Sequence, residues 1–275
     1  MDSKIGIIYF SKNRPLQLDL AISSNRFCCG DWDNANHYVI YKADEPYKKA
    51  YETLIEQHKD CEFIAETPEK FFNTRLLKIL GEKEFVLFNV DDVIYTNDYF
   101  ISVAVGNLYN NRYALGFSLR LGYNTTYSYA RGKEQITPDF TNIIDNVLKY
   151  NWVTEFGNAD FGFALEVSGT VYRSRDLLFV MYNTGWDNPN TLELALYKNL
   201  LSFRYLPEML CFEKSVCFSN PINKVYTDNN NNRAGEDEKY SAENLLIKYE
   251  EGFRVPYNKF YKFLPNSCHQ EVDLF

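Results

Sequence analysis

The chain has 275 residues, 45% hydrophobic and 17% aromatic, with a formal net charge of −8. That composition supplies a real core, and its acidity argues against nucleic acid as a partner, because phosphate backbones are repelled at long range. No apolar run approaches the roughly 20 residues that span a bilayer, so no transmembrane segment is expected.

Met1-Asp2-Ser3-Lys4 leads directly into a strand-like run without the charged, apolar and cleavage regions of a signal peptide. Cys28, Cys29, Cys61, Cys211, Cys217 and Cys268 show no C-x-x-C spacing. Reduced thiols, a cytoplasmic location with at most peripheral contact with a membrane surface, and no structural zinc are the expectation.

In chain order, Ile5 to Phe10 is a continuous apolar run, the pattern of a strand buried on both faces. Ser11-Lys12-Asn13-Arg14-Pro15 interrupts it, with Asn13 as N-cap and Pro15 in the first turn of a helix carrying Leu16 and Leu20. His37 to Tyr41 is a second strand. Pro46 opens an amphipathic helix with Tyr47, Ala50, Tyr51, Leu54 and Ile55 on one face. Cys61 to Ala65 is a third strand. Thr67-Pro68 starts a helix bearing Phe71, Phe72, Leu76 and Leu80 and stopped by Gly81, and Phe85 to Val90 is a fourth strand.

The second half is less regular. A helix is predicted near Asn97, strands at Tyr113 to Leu119, Phe161 to Val167 and Thr170 to Arg173, and a helix capped by Asn188-Pro189 with Leu192, Ala195, Leu196 and Leu200 on one face. Asp228 to Lys239 is polar and without apolar anchors, the composition of a mobile loop, and Ser241 begins a last short helix. No repeat or linker divides the chain. Residues 1–275 are therefore taken as one domain, with 1–95 a nucleotide-binding half and 96–275 an acceptor half with a C-terminal tail.

Strands alternating with helices imply a parallel, Rossmann-like sheet, which binds ligands at the carboxyl ends of its strands. The Ser11–Pro15 loop and the pair Asp91-Asp92 both fall there. Two adjacent carboxylates after an apolar strand are costly unless a cation neutralises them, and hard divalent ions bridge carboxylates to phosphates. The bland alternative is that the acids only open the next turn. Other site classes fail by absence: there is no P-loop, no G-x-G-x-x-G after the first strand, no H-E-x-x-H and no G-x-S-x-G. His37 and His58 lie on regular elements and suit packing better than catalysis. His269 sits in Ser267-Cys268-His269-Gln270-Glu271, a tail with no other reason for order.

Four stretches, in order, resemble GT-A glycosyltransferases of bacterial and viral glycan synthesis: Ser11 to Leu18; Phe88-Asn89-Val90-Asp91-Asp92; Ser118-Leu119-Arg120-Leu121-Gly122; and Ser168 to Arg173 followed by Asn188 to Glu193. The resemblance implies an α/β fold of GT-A type, with a Rossmann-like central sheet flanked by helices. It implies that Ser11, Asn13 and Arg14 cradle the nucleotide and that Asn89-Val90-Asp91 stands in the D-x-D place. Asn89 departs from that motif, leaving Asp91 or Asp92 as ligand of Mn2+ or Mg2+. His269 would complete the metal site, and Arg120 would hold the pyrophosphate or an acceptor hydroxyl. Asn190 occupies the place of the catalytic base and cannot accept a proton. Asp160, in a small-residue stretch, is preferred over Glu193 for that role; without a base in place the enzyme would instead be retaining.

The activity so implied is metal-dependent transfer from a nucleoside diphosphate sugar, a UDP-sugar, to a glycan or glycolipid hydroxyl. Tyr123, Tyr127, Trp152 and Trp186 are candidates to stack on the acceptor. One rival is a nucleotidyltransferase, which needs a glycine-rich loop that Ser11 to Pro15 lacks. The other is a non-catalytic nucleotide- or sugar-binding protein, which a donor-hydrolysis assay separates.

Overall fold

Ile5–Lys12 (β1) is buried along nearly its whole length, as a strand covered by helices on both faces must be. Ile7 and Tyr9 enter one core layer and Ile8 and Phe10 the other, the two-residue alternation of a strand. The computed structural model describes residues 3–67, 71–144, 146–225 and 233–275. Strand β1 pairs in parallel with Asn36–Lys42 (β2), beyond which lies Cys61–Ala65 (β3), and on its other side with Phe85–Val90 (β4). The connections are helices Pro15–Cys28 (α1), Lys48–Gln57 (α2) and Phe72–Glu82 (α3).

Past β4 the pattern changes. Val93–Tyr95 (β5) leaves the main sheet, Ile101–Asn110 (α4) follows, and Ala114–Ser118 (β6) re-enters it. A hairpin of Tyr127–Ser128 (β7) and Lys133–Glu134 (β8) precedes Thr141–Ile144 (β9) and Val147–Asn151 (β10). Thr170–Arg173 (β11) then inserts antiparallel between β4 and β6. Ser174–Asn183 (α5), Pro189–Lys198 (α6), Glu208–Phe212 (β12), Cys217–Ser219 (β13) and Ala242–Glu250 (α7) complete the order. The sheet runs β3-β2-β1-β4-β11-β6-β12-β10-β9. The βα units give the expected parallel half, but the β11 junctions with β4 and β6, and the β12-β10-β9 edge, are antiparallel. The expected Rossmann-like α/β sheet is therefore mixed.

Several local expectations shift, each for a physical reason. Asn13 is not the N-cap of α1. It adopts φ 55, a conformation asparagine tolerates, and Arg14 takes the cap position before Pro15. A 3-10 turn at Glu45–Tyr47 precedes α2, so the helix opens at Lys48 rather than Pro46. Gly81 lies inside α3 instead of ending it; Pro68 is outside the described residues. Helix α4 begins at Ile101 rather than near Asn97 because Asp31, distant in sequence, accepts the Ile101 and Ser102 amides at 2.6 and 2.9 Å. Phe161 to Val167 is not a strand: the Glu166 amide donates to the Tyr172 hydroxyl and the Val167 amide to Glu193, so side chains replace a ladder. Of the polar stretch from Asp228, residues 228–232 lie outside the described residues, and Glu238–Tyr240 is a 3-10 turn. Ser241 caps α7 as read.

Among the described residues no helix is long and apolar enough to cross a membrane.

Candidate active site

Strand polarity brings four chain segments to one edge. Ser11 and Lys12 end β1, and Asp91-Asp92 follow β4. Because β11 runs antiparallel, its first residue Thr170 pairs with Phe88 and with Ser118 at the same edge. The tail joins them through Ser219, whose amide donates to the Cys268 carbonyl and whose carbonyl accepts from Gln270. A cleft of about 430 Å³ opens here, lined by Ser11, Arg14, Asp91, Asp92, Arg120, Asp160, Glu193 and His269 among others. Eight of the ten residues expected at the site thus share one cavity.

The other two do not reach it. Asn13 is buried against Asp44, donating from Nδ2 to Oδ2 at 2.6 Å and accepting the Asp44 amide at 2.9 Å, so its work is to hold the loop. Asn89 is fully buried and accepts from the Tyr95 hydroxyl at 2.9 Å. The first position of the expected motif therefore faces the core, and Asp91-Asp92 is the acidic element in the cleft. Trp152 and Trp186 are core residues whose indoles donate to the Leu206 and Met181 carbonyls, and Tyr123 packs on Phe140. The aromatic lining is instead Phe10, Tyr129 and Phe163.

The two acids differ sharply. Asp91 is saturated: Oδ2 accepts from Ser11 Oγ at 2.9 Å and from the Lys12 amide at 3.2 Å, and Oδ1 accepts from Arg14 Nη1 at 2.9 Å. Asp92 has Arg14 Nη1 at 3.5 Å as an ion-pair partner, and among the described residues its buried Oδ1 has no hydrogen-bond partner. Burial pushes its carboxyl up to about 6, with Arg14 opposing and Asp91 reinforcing the shift. A carboxylate oxygen without a partner, on a residue that lines the cleft, suits a hard cation.

Arg120 leaves β6 with its side chain 6% exposed and donates from Nη2 to Glu166 at 2.7 Å. Its Nη1 lies 3.4 Å from Ser219 Oγ and 3.4 Å from His269 Nε2. Gly169, at φ 97, makes room: a Cβ there would stand 2.9 Å from Arg120 Cγ. Burial, with Arg120 adding to it, lowers the His269 imidazole to about 3, so it is neutral, the form in which histidine binds metals. Among the described residues no three His, Cys, Asp or Glu side chains are grouped to hold an ion on their own. Asp92 and His269 fit one only as partial ligands, with phosphate oxygens and water supplying the rest.

On the opposite wall, helix α6 is fixed by a capping box between Asn188 and Thr191. Glu193 lies beyond its first turn, so the helix N-terminus does not account for it. Burial, reinforced by Glu166, pushes its carboxyl up to about 7, with Arg120 and the Val167 amide at 3.3 Å opposing. Asp160 is raised by burial, and Gln135 Nε2 donates to it at 2.9 Å. It follows Ala159 at φ 34, a strained conformation, in a turn where a Cβ on Gly162 would meet the Glu155 carbonyl at 2.2 Å. Asn190 lines the cleft one turn before Glu193. Sequence reasoning missed Glu166, the buried partner of Arg120. Its only signal was one acid in an apolar run from Phe161 to Val167.

A half-parallel, half-mixed sheet with an acid pair at the end of its fourth strand gives the chain a fold of GT-A type. No family model matches the chain. It is 24% identical to the bifunctional glycosyltransferase pgtA of Dictyostelium discoideum, over 90% of this chain and 38% of that one. In fold it is similar to S. aureus TarS 1-349, with TM-score 0.50 and 14% identity over 80% of this chain and 60% of that one. It is also similar to TarS 1-349 in complex with UDP-GlcNAc, with TM-score 0.50 and 12% identity over 84% and 61%. The chain spans less than two thirds of the length of each.

Proposed function

We propose that the protein transfers a sugar from a nucleoside diphosphate sugar, a UDP-sugar, to a hydroxyl of a glycan or glycolipid, with inversion and with help from Mn2+ or Mg2+. The observation that carries this reading is the pairing, in one cleft, of the partly unsatisfied acid Asp92 with a carboxyl, Glu193, held near 7 on the opposite wall. The UDP-GlcNAc complex of TarS 1-349, a structure of similar fold, supports the donor class.

In this reading Ser11 and Arg14 bound the nucleotide side of the cleft, and Asp91 keeps the β1 loop in place. Asp92 and His269 would hold a divalent ion, which would supply positive charge for the departing diphosphate. Arg120, anchored by Glu166, adds a fixed guanidinium beside it. Glu193 takes the proton from the acceptor hydroxyl, its affinity for that proton matched to neutral pH. Asp160, clamped by Gln135, orients the acceptor. This reverses the preference for Asp160 as base, because Glu193 combines a placement in the second turn of a capped helix with the better-matched proton affinity.

The test is donor turnover and transfer with a panel of UDP-sugars, in manganese and in EDTA, with the anomeric configuration of the product read by NMR. Metal-dependent transfer with inversion is expected. Full turnover in chelator would remove the metal, and a retained configuration would remove Glu193 as base. UDP with manganese should raise the melting temperature and NAD should not; the opposite pattern would point to a different nucleotide.

A further inference from the structure

Arg14 sits where an ion would neutralise the acid pair. Its Nη1 is 2.9 Å from Asp91 Oδ1 and 3.5 Å from Asp92 Oδ2, and its Nη2 donates to the Asn223 carbonyl at 2.5 Å. The side chain is only 10% exposed, so this is a docked guanidinium and not a surface contact. The other expected ligand faces an arginine too, since His269 Nε2 lies 3.4 Å from Arg120 Nη1. A bare divalent ion entering here meets two carboxylates already offset by one guanidinium, with a second guanidinium across the cleft. A nucleoside diphosphate changes that balance by bringing several negative charges of its own.

We infer that Arg14 is a built-in counter-cation that competes with the divalent ion for Asp91-Asp92, so that the ion binds well only together with a nucleoside diphosphate. This rests on the assignment of the metal to Asp92 and His269. Its physical basis is that two cations sharing one acid pair in a poorly solvated cleft repel each other, and added anionic charge relieves the repulsion. Arg14 is then a positioning residue that sets the order of assembly: diphosphate first, or diphosphate and ion as one complex. Without the diphosphate the acid pair remains stable in a metal-free protein.

The test is titration of Mn2+ followed by the electron paramagnetic resonance signal of the free ion, with UDP present or absent and with the Mn2+ that UDP binds in protein-free controls subtracted. For the unmodified protein, affinity should rise about tenfold or more when UDP is added, the scale of a modest change in charge balance at a partly buried site. Arg14→Gln should bind Mn2+ without UDP about tenfold more tightly than the parent, and Arg14→Lys, which keeps the charge, should behave as the parent does. A merely structural arginine would not yield a variant with higher metal affinity. Equal Mn2+ affinity with and without UDP in the unmodified protein would overturn the inference even if Arg14→Gln did not fold, as would a folded Arg14→Gln with unchanged affinity. UDP binding without Mn2+ binding in any form would instead overturn the metal assignment itself and leave the donor class standing.

Discussion

The two walls of the cleft handle negative charge in opposite ways. On the β1–β4 wall, Asp91 is met by a hydroxyl, an amide and a guanidinium. On the α6 wall, Glu193 accepts from one amide, at 3.3 Å, among the described residues and faces the buried acid Glu166. The first wall is neutralised in advance and suits the fixed placement of anionic phosphates. The second is left short of partners and suits a group that must exchange a proton. Stability and chemistry are therefore expected to separate along the same line.

The largest expected effect is at Glu193. Glu193→Gln should lower transfer by about 10²–10⁴-fold, the usual weight of a general base. It should not lower stability. The folded protein holds this proton up to about 7, whereas an unfolded glutamate releases it near 4.3, so the native state binds more protons in that window and loses stability as pH rises through it. The Gln variant escapes that cost. It should equal the parent at pH 4 and exceed it at pH 8, by roughly 1–3 kcal/mol in urea unfolding. Parent kcat should rise with pH through about 7. A Gln variant that transfers normally would erase the contrast between the walls.

Next is Asp92, the exception on the first wall. Asp92→Asn should cut turnover by about 10²-fold or more while leaving the melting temperature unchanged or higher, since a poorly satisfied charge is removed. Asp91→Asn should do the reverse in stability, costing about 1–3 kcal/mol because three donors, one of them charged, lose a carboxylate. Measuring both variants by thermal unfolding and donor turnover sharpens the comparison, and a stable Asp91→Asn beside an unstable Asp92→Asn would invert it. The smallest effect is Asn188→Ala, which removes the α6 cap and should cost about 1 kcal/mol. Because α6 carries Glu193, its kcat should fall more than its KM changes.

How much of this was legible depended on where the backbone hydrogen bonds go. In residues 5–90 the ladders are local βα units, so apolar runs and helix faces marked strands β1 to β4 with few errors. The Asp91-Asp92 pair was visible because it ends such a run. From residue 93 onward, short strands such as Val147–Asn151 and Glu208–Phe212 pair with segments far away, and nothing local marks them. The stretch from Phe161 to Val167 has the look of a strand because it is a short apolar run broken by one acid, yet the Tyr172 hydroxyl and Glu193 accept its Glu166 and Val167 amides. Asn13 and Asn89 are expected at the nucleotide site from their place in a motif. Only the fold reveals that Asp44 and Tyr95 engage them.

The six cysteines carry a separate consequence. All are buried as free thiols, three in residues 28–61 and three in residues 211–268. Burial pushes Cys28 and Cys61 up to about 12 and Cys29 up to about 11, which keeps them as unreactive thiols in the closed molecule. A water-soluble alkylating reagent can then modify them only when a segment opens, and the rate of modification at each site becomes a clock for local unfolding. Peptide mapping after brief exposure would time the three early thiols against the three late ones. If Cys268 is labelled well before Cys28, the tail that brings His269 to the cleft breathes while the parallel strands stay shut.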